Sequence, residues 1–151
     1  MSATVAIIGA GIGGIYLVAE LGIARHTLRL HDIDATRLAD IRAHGGLDVE
    51  GEPGGFAAVE HATTDLQSAV DGADVIIVAT GGNAQATVAR SLAPILRDGQ
   101  VILLFRATPA DHWLCAAHWT LRVAERLSMS PRWTTIRIPA GGWRRRGYGP
   151  S

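Results

Sequence analysis

Lysine is absent from this 151-residue chain, so all 14 basic residues are arginines, balanced by 14 acidic ones. Cysteine occurs once, at Cys115. That excludes an internal disulfide framework and any zinc site built on thiolates, and leaves the thiol as a small packing residue. No window approaches the roughly 20 consecutive apolar residues that a membrane-spanning helix needs, so no membrane partner is expected. The start, Met1-Ser2-Ala3-Thr4, runs directly into an apolar stretch without a basic segment or small-residue cleavage site. No secretory signal is read there, and a cytoplasmic location is expected. The six histidines show no ligand spacing, so no metal site is expected. What is present, 48% hydrophobic and 19% charged residues, marks a globular chain despite its 18 glycines. Its length suits one domain with a sizeable core and is too short for two full-sized ones.

The neutral total hides an asymmetry. Residues 1–106 carry twelve acids and seven arginines, near −5, whereas residues 107–151 carry two acids and seven arginines, near +5. All four tryptophans (Trp113, Trp119, Trp133, Trp143) lie in the second part. Two regions are therefore expected, a folded domain over 1–106 and an irregular basic Trp/Arg-rich tail over 107–151.

The first region alternates strand and helix patterns. Thr4–Ile8 is an apolar run ending at Gly9, as a strand buried on both faces reads. Ile15, Leu17, Val18 and Leu21 recur at helical spacing from Gly13 to about Ala24, with Gly22 near the end. Thr27–Leu30 reads as a second strand. Asp34 is placed to cap a helix from Ala35 to about Ala43, with Leu38 and Ile41 on one face and Gly45 as its stop. Leu47–Val59 reads as two short extended pieces around Glu52-Pro53-Gly54-Gly55, a hairpin or an irregular excursion. Thr64 and Gln67 have capping-box spacing for a short helix ending near Gly72. Val75–Ala79 reads as a strand, Ala84–Leu96 as a helix and Val101–Phe105 as the last strand. This alternation predicts an α/β fold, a doubly wound parallel sheet of the Rossmann type with right-handed crossovers.

The chemistry concentrates at the first turn. Gly9-Ala10-Gly11-Ile12-Gly13-Gly14 fits G-x-G-x-x-G directly after a strand and at the opening of a helix. Gly9 suits a tight turn, Gly11 lets a diphosphate approach the backbone, and Gly14 lets helix pack on strand. Ala10 and Ile12 complete the turn, whose free N–H groups and helix dipole suit an anion without any basic side chain. Asp32 ends the second strand 18 residues after Gly14, where a carboxylate can accept both adenosine ribose hydroxyls and repel a 2′-phosphate. NAD is the expected cofactor; Arg37, just beyond the strand, leaves NADP open. Thr80-Gly81-Gly82-Asn83 follows the fourth strand of the expected sheet. Thr80, Gly81 and Asn83 are candidates for contact with the ribose or nicotinamide, a plain flexible loop being the alternative. Asp34, Asp40, Asp48, Glu50 and Glu52 read as solvated surface. No catalytic residue is assigned, because neither a proton donor nor a carboxylate-binding cation is identifiable in 1–106.

The segments TVAIIGAGIGGIYLVAEL, LRLHDIDATRLADIRAHGGL, TTDLQSAVDGADVIIVAT and ARSLAPILRDGQVILL together resemble the N-terminal domain of the NAD/NADP octopine/nopaline (opine) dehydrogenase family. Ketopantoate reductases and glycerol-3-phosphate dehydrogenases share much of this outline. The resemblance implies reductive condensation of an amino acid with a 2-oxo acid in the full-length family, the imine accepting hydride from a nicotinamide. It places Gly9, Gly11, Gly14 and Asp32 at cofactor-binding positions. It also implies a helical C-terminal domain, for which this chain has no room, so cofactor binding without turnover is expected, with self-association through exposed apolar surface. The family's apolar or proline-containing loop after the fourth strand is replaced here by Thr80-Gly81-Gly82-Asn83.

The resemblance stops after Leu104. The tail that follows has the look of an out-of-frame translation: with permitted wobble bases, Ala107–Asp111 yields GNTGG in a shifted frame and Ser130–Pro139 a segment containing EMDNYPYS. A one-base deletion near codon 106 of a longer gene is the reading this suggests. Arg144-Arg145-Arg146 reads as solvated surface, so no nucleic-acid partner is expected. The other function class is a stand-alone nucleotide-binding module whose tail contacts a partner protein.

Overall fold

A computed structural model describes residues 2–51 and 54–105. The hairpin tip at Glu52-Pro53, Cys115, the four tryptophans and the whole 107–151 tail lie outside the described residues.

Among the described residues, seven strands and four helices follow one another as β1 (Thr4–Ile8), α1 (Ile12–Ile23), β2 (Thr27–His31), α2 (Ala35–His44), β3 (Gly46–Val49), β4 (Gly55–Ala58), β5 (His61–Thr63), α3 (Leu66–Val70), β6 (Val75–Val78), α4 (Gly82–Leu92) and β7 (Val101–Leu104). Five of the strands form one parallel sheet in the order β5-β2-β1-β6-β7. Parallel pairing explains the apolar runs. Val5, Ala6, Ile7 and Ile8 in β1, and all four residues of β6, are buried because helices cover both faces. On one face Val5, Ile7, Leu28 and Leu30 pack with Val18 and Leu21 of α1 and Leu38 and Ile41 of α2. On the other, Ala6, Ile8, Ile76 and Val78 pack with Val70 of α3 and Leu92 of α4. This is the doubly wound α/β sheet expected from the sequence.

From β1 the chain builds outward first to β2 and β5, then returns to add β6 and β7 on the other side. The order therefore reverses between β1 and β6, the crevice where open α/β sheets hold their ligands.

Some local expectations are corrected. The cap of α3 is Asp65, whose carboxylate accepts from Gln67 N and Ser68 N; the Thr64/Gln67 capping box does not form. Helix α4 begins at Gly82 and ends at Leu92, so Gly82 and Asn83 are its first residues. Pro94 accounts for the early stop: Ala93 before it is still helical, but proline has no N–H with which to continue the helix ladder. The edge strand β5 was not anticipated; three residues are too short for a period-2 signal. Of the two readings of 47–59, the hairpin is the one that forms, as antiparallel β3 and β4, and it lies on α1. There Gly22 is needed for proximity, because a β-carbon would fall 2.5 Å from that of Ala57.

Candidate functional site

The Gly-rich turn sits at the carboxyl edge of the sheet, between β1 and α1. Gly9 has φ +113°, a conformation that side chains resist, and a β-carbon there would press within 3.0 Å of Ala79 O and Thr80 Cγ2. Its N–H donates to His31 O at 2.7 Å, tying the turn to the end of β2. Gly14 faces inward, and a β-carbon on it would overlap the Gly9 carbonyl. Both glycines are therefore required by the protein itself.

Gly11 is different. Its backbone is ordinary (φ −76°), and a β-carbon would have Arg37 Nη1, 4.0 Å away, as its nearest neighbour. Nothing in the packing demands glycine here; what glycine leaves is open space over the first turn of α1. That cradle fits a diphosphate approaching the backbone, and the first N–H groups of α1 have no intrahelical acceptor.

The N-caps divide in the same way. Helices α2 and α3 are capped by the side chains of Asp34 and Asp65. Helices α1 and α4, which follow β1 and β6 on either side of the crevice, start from Gly11 and Gly81 with no side-chain cap. The two amino ends without side-chain caps thus flank the switch point, where an anion can be received.

Asp32 lies directly after β2 and is 7% exposed. One carboxylate oxygen, Oδ2, accepts from Ala10 N at 2.7 Å; the other, Oδ1, accepts from Asp34 N at 2.9 Å. The side chain thereby joins the Gly-rich turn to the start of α2. Arg37, in the first turn of α2, places Nη1 3.8 Å from Asp32 Oδ2 and Nε 3.6 Å from Asp34 Oδ2. Hydrogen bonds from Thr36 hold the exposed Asp34 carboxyl below its ordinary range.

The structure therefore gathers Gly9, Ala10, Gly11, Ile12, Gly14, Asp32 and Arg37 around one turn. Thr80, Gly81 and Asn83 stand across the crevice at the end of β6 and the start of α4. Ile33 was missed from sequence: it is 89% exposed between Asp32 and Asp34 and offers a bare apolar face beside the Asp32 carboxylate. Its sequence signal, an apolar residue between two acids just past a strand, was available. Gln85 was also missed. Gln85 Nε2 and Thr80 Oγ1 are buried with no hydrogen-bond partner among the described residues, two polar atoms in α4 and just after β6 still to be satisfied. His31, buried at the end of β2, has an unpartnered Nδ1, and burial pushes its pKa down against the pull of Asp32 and Asp65.

Two concavities, of about 220 and 350 Å³, lie beside β5 and are lined by none of the residues of this turn. Among the described residues no helix is long and apolar enough to cross a membrane, and no cluster of His, Cys, Asp and Glu is arranged to hold a metal.

Comparison with known proteins agrees with this picture. The opine dehydrogenase of Arthrobacter sp. (strain 1C) is 35% identical over 105 residues, covering 68% of this chain and 29% of that enzyme. A glycerol-3-phosphate dehydrogenase structure from Coxiella burnetii superposes with TM-score 0.56 at 22% identity, over 68% of this chain and 32% of that one. An octopine dehydrogenase structure, in complex with NADH and agmatine, gives TM-score 0.55 at 21% identity over 68% and 28%. The chain thus spans about a third or less of these relatives, and the part shared is the one that carries the Gly-rich turn. The resemblance to opine dehydrogenases read from the sequence holds, within a wider family outline. A family model described as "Ketopantoate reductase PanE/ApbA" matches residues 5–107, and the chain belongs to that family.

Proposed function

We propose that this chain binds a nicotinamide dinucleotide along the carboxyl edge of its sheet, as the cofactor-holding half of an oxidoreductase. The observation that carries this reading is the open space at Gly11, a glycine that the protein's own packing does not require. The diphosphate would lie there, against the amino end of α1. Asp32 keeps lone pairs beyond the two its backbone partners use, and these accept the adenosine ribose hydroxyls. Ile33 supports the adenine. Thr80, Gly81, Asn83 and Gln85 serve the nicotinamide side, where the unpartnered Thr80 hydroxyl and Gln85 amide gain partners. When bound, the cofactor supplies or removes a hydride; the residues named here bind and orient it. NAD(H) is favoured, since Asp32 and Asp34 put two carboxylates against one arginine at the adenosine end.

In a full-length relative the hydride acceptor would be the imine formed by an amino acid and a 2-oxo acid, or a keto acid itself. This chain alone would bind cofactor without turnover, because the described residues supply no assigned proton donor or carboxylate-binding cation for that chemistry. Titrating the purified chain into NADH and following nicotinamide fluorescence tests the reading. A saturable change, with no NADH oxidation on adding amino acid and 2-oxo acid, is expected. No saturable change would end it.

A further inference from the structure

We propose that the basic, tryptophan-rich tail of this chain covers the open edge of its own sheet, seating apolar side chains on Ile102 and Leu104 of β7. The inference concerns a surface outside the dinucleotide reading and does not depend on it.

Among the described residues no strand lies beyond β7. Val101 N donates to Asp74 O at 3.0 Å and Phe105 N to Val78 O at 2.9 Å, so the odd-numbered residues bond inward, toward β6. Ile102 and Leu104 therefore turn their backbone N–H and C=O groups outward, as an edge strand must. The same two residues carry side chains 42% and 49% exposed. They stand beside Ile76 and Val78, on the sheet face that α3 and α4 cover further in. Backbone and side chain are thus open together along one strand.

The opposite edge of the sheet is closed by its own residues. Strand β5 is only three residues long, and Arg42 Nε donates to Ala62 O at 2.9 Å. Short length and a basic side chain are common protections of an edge. Residues 101–105, Val-Ile-Leu-Leu-Phe, hold no charge and no proline. An apolar edge of that kind is stable in water only when something lies on it.

Three arguments choose the tail as that occupant. The described chain leaves β7 directly at Phe105, and residues 106–151 follow. A dozen of them, extended, reach about 40 Å, about three times the length of β7. The charges also match: residues 1–106 stand near −5, and residues 107–151 near +5 with all four tryptophans. Asp98, exposed in the turn that leads into β7, pairs with no arginine among the described residues and is one acid within this surface. Finally, a tethered segment acts at an effective concentration on the order of millimolar, which a free second copy would have to match. Tryptophan supplies the apolar area and arginine the charge. Covering the edge needs those side chains in no particular order, so it holds whether or not the tail is read in its original frame.

Residues 1–106 contain no tryptophan, so tryptophan emission of the full 151-residue chain reports on the tail alone. The test is acrylamide quenching of that emission in the unaltered chain, in Ile102→Ser/Leu104→Ser and in the milder Leu104→Ser, with circular dichroism and sedimentation on each. In the folded, unaltered monomer, quenching at most about half as strong as in the same chain unfolded in urea is expected. The double variant, with a matching circular dichroism spectrum, should raise the quenching and shift the emission to the red. Leu104→Ser should do so in part, and carries the comparison if the double variant unfolds. Quenching of the unaltered chain as free as in urea would overturn the proposal. So would shielding that the folded variants leave unchanged, since the tryptophans would then be covered elsewhere. Shielding that grows with protein concentration as dimers form would overturn it in favour of a second copy at this edge, the self-association expected from the sequence.

Discussion

The Asp32 carboxylate accepts the Ala10 amide proton at 2.7 Å, a buried bond spanning 22 residues from the end of β2 into the Gly-rich turn. Its other oxygen takes the Asp34 amide at 2.9 Å, so one side chain sets the turn and the start of α2 relative to each other. Pre-set geometry of this kind spares a ligand the cost of ordering the loop.

Replacing Asp32 by alanine should therefore act on stability as well as on binding. Two backbone N–H groups lose their acceptor, worth about 1–3 kcal/mol in all, because water can reach part of the gap. NADH affinity should fall and the preference against NADPH narrow. Urea unfolding beside nucleotide titration checks both; unchanged stability with unchanged preference would show that Asp32 neither braces the turn nor selects the cofactor.

Gly14 and Gly11 should separate packing from ligand. A β-carbon on Gly14 overlaps the Gly9 carbonyl, and the two backbones have no flexible side chain between them to yield. Gly14→Ala should cost about 3 kcal/mol or more in urea unfolding. Gly11→Ala should cost at most about 1 kcal/mol, chiefly the poorer N-cap. Similar losses at the two positions would contradict the assignment of one glycine to packing and the other to the ligand.

Much of this was legible in the sequence, and the failures have physical reasons. The sheet was readable because β1 and β6 are continuous apolar runs, and the turn because three glycines fall at fixed offsets after such a run. Leu38 and Ile41, read as one helix face, are both buried. Gly22 was read as a helix terminator, but its reason is the hairpin residue Ala57 pressed against α1, a contact between residues 35 positions apart that no local pattern reveals. The Thr64/Gln67 pattern misled because Asp65, one residue on, competes for the same N–H groups and its carboxylate is the better acceptor. Asp32 was located correctly, yet its two backbone partners follow from the tertiary approach of turn and helix.

Acid should weaken the fold through its buried histidines. Burial lowers the pKa of His31 and of His26, so the native state holds both neutral. The unfolded chain takes up a proton near pH 6.5 and the folded chain only lower, so stability is full above about 6.5 and is lost as pH falls below it. His31→Gln should shrink the drop in urea midpoint between pH 7.5 and pH 5. Glu20, raised by burial, acts with the opposite sign, and the comparison between the two chains cancels it. An undiminished drop in the variant would remove His31 from the acid response.

The DNA itself tests the reading of the tail. The family match ends at residue 107, where the charge balance turns from acidic to basic. Resequencing from about codon 95 past the stop is expected to show that restoring one base near codon 106 continues the relatives' sequence. An intact frame, with nothing related in any frame downstream, would make the tail a genuine part of the protein and direct attention to its partners.

The most direct test of the central claim is NADH binding to the unaltered chain and to Gly11→Val, with circular dichroism on both. The side chain would enter the space left for a diphosphate and touch little else. The expected result is saturable NADH binding by the unaltered chain, none by the variant, and matching far-UV spectra. Equal NADH affinity in a folded Gly11→Val variant would contradict the account, because the open space at Gly11 would then hold no cofactor.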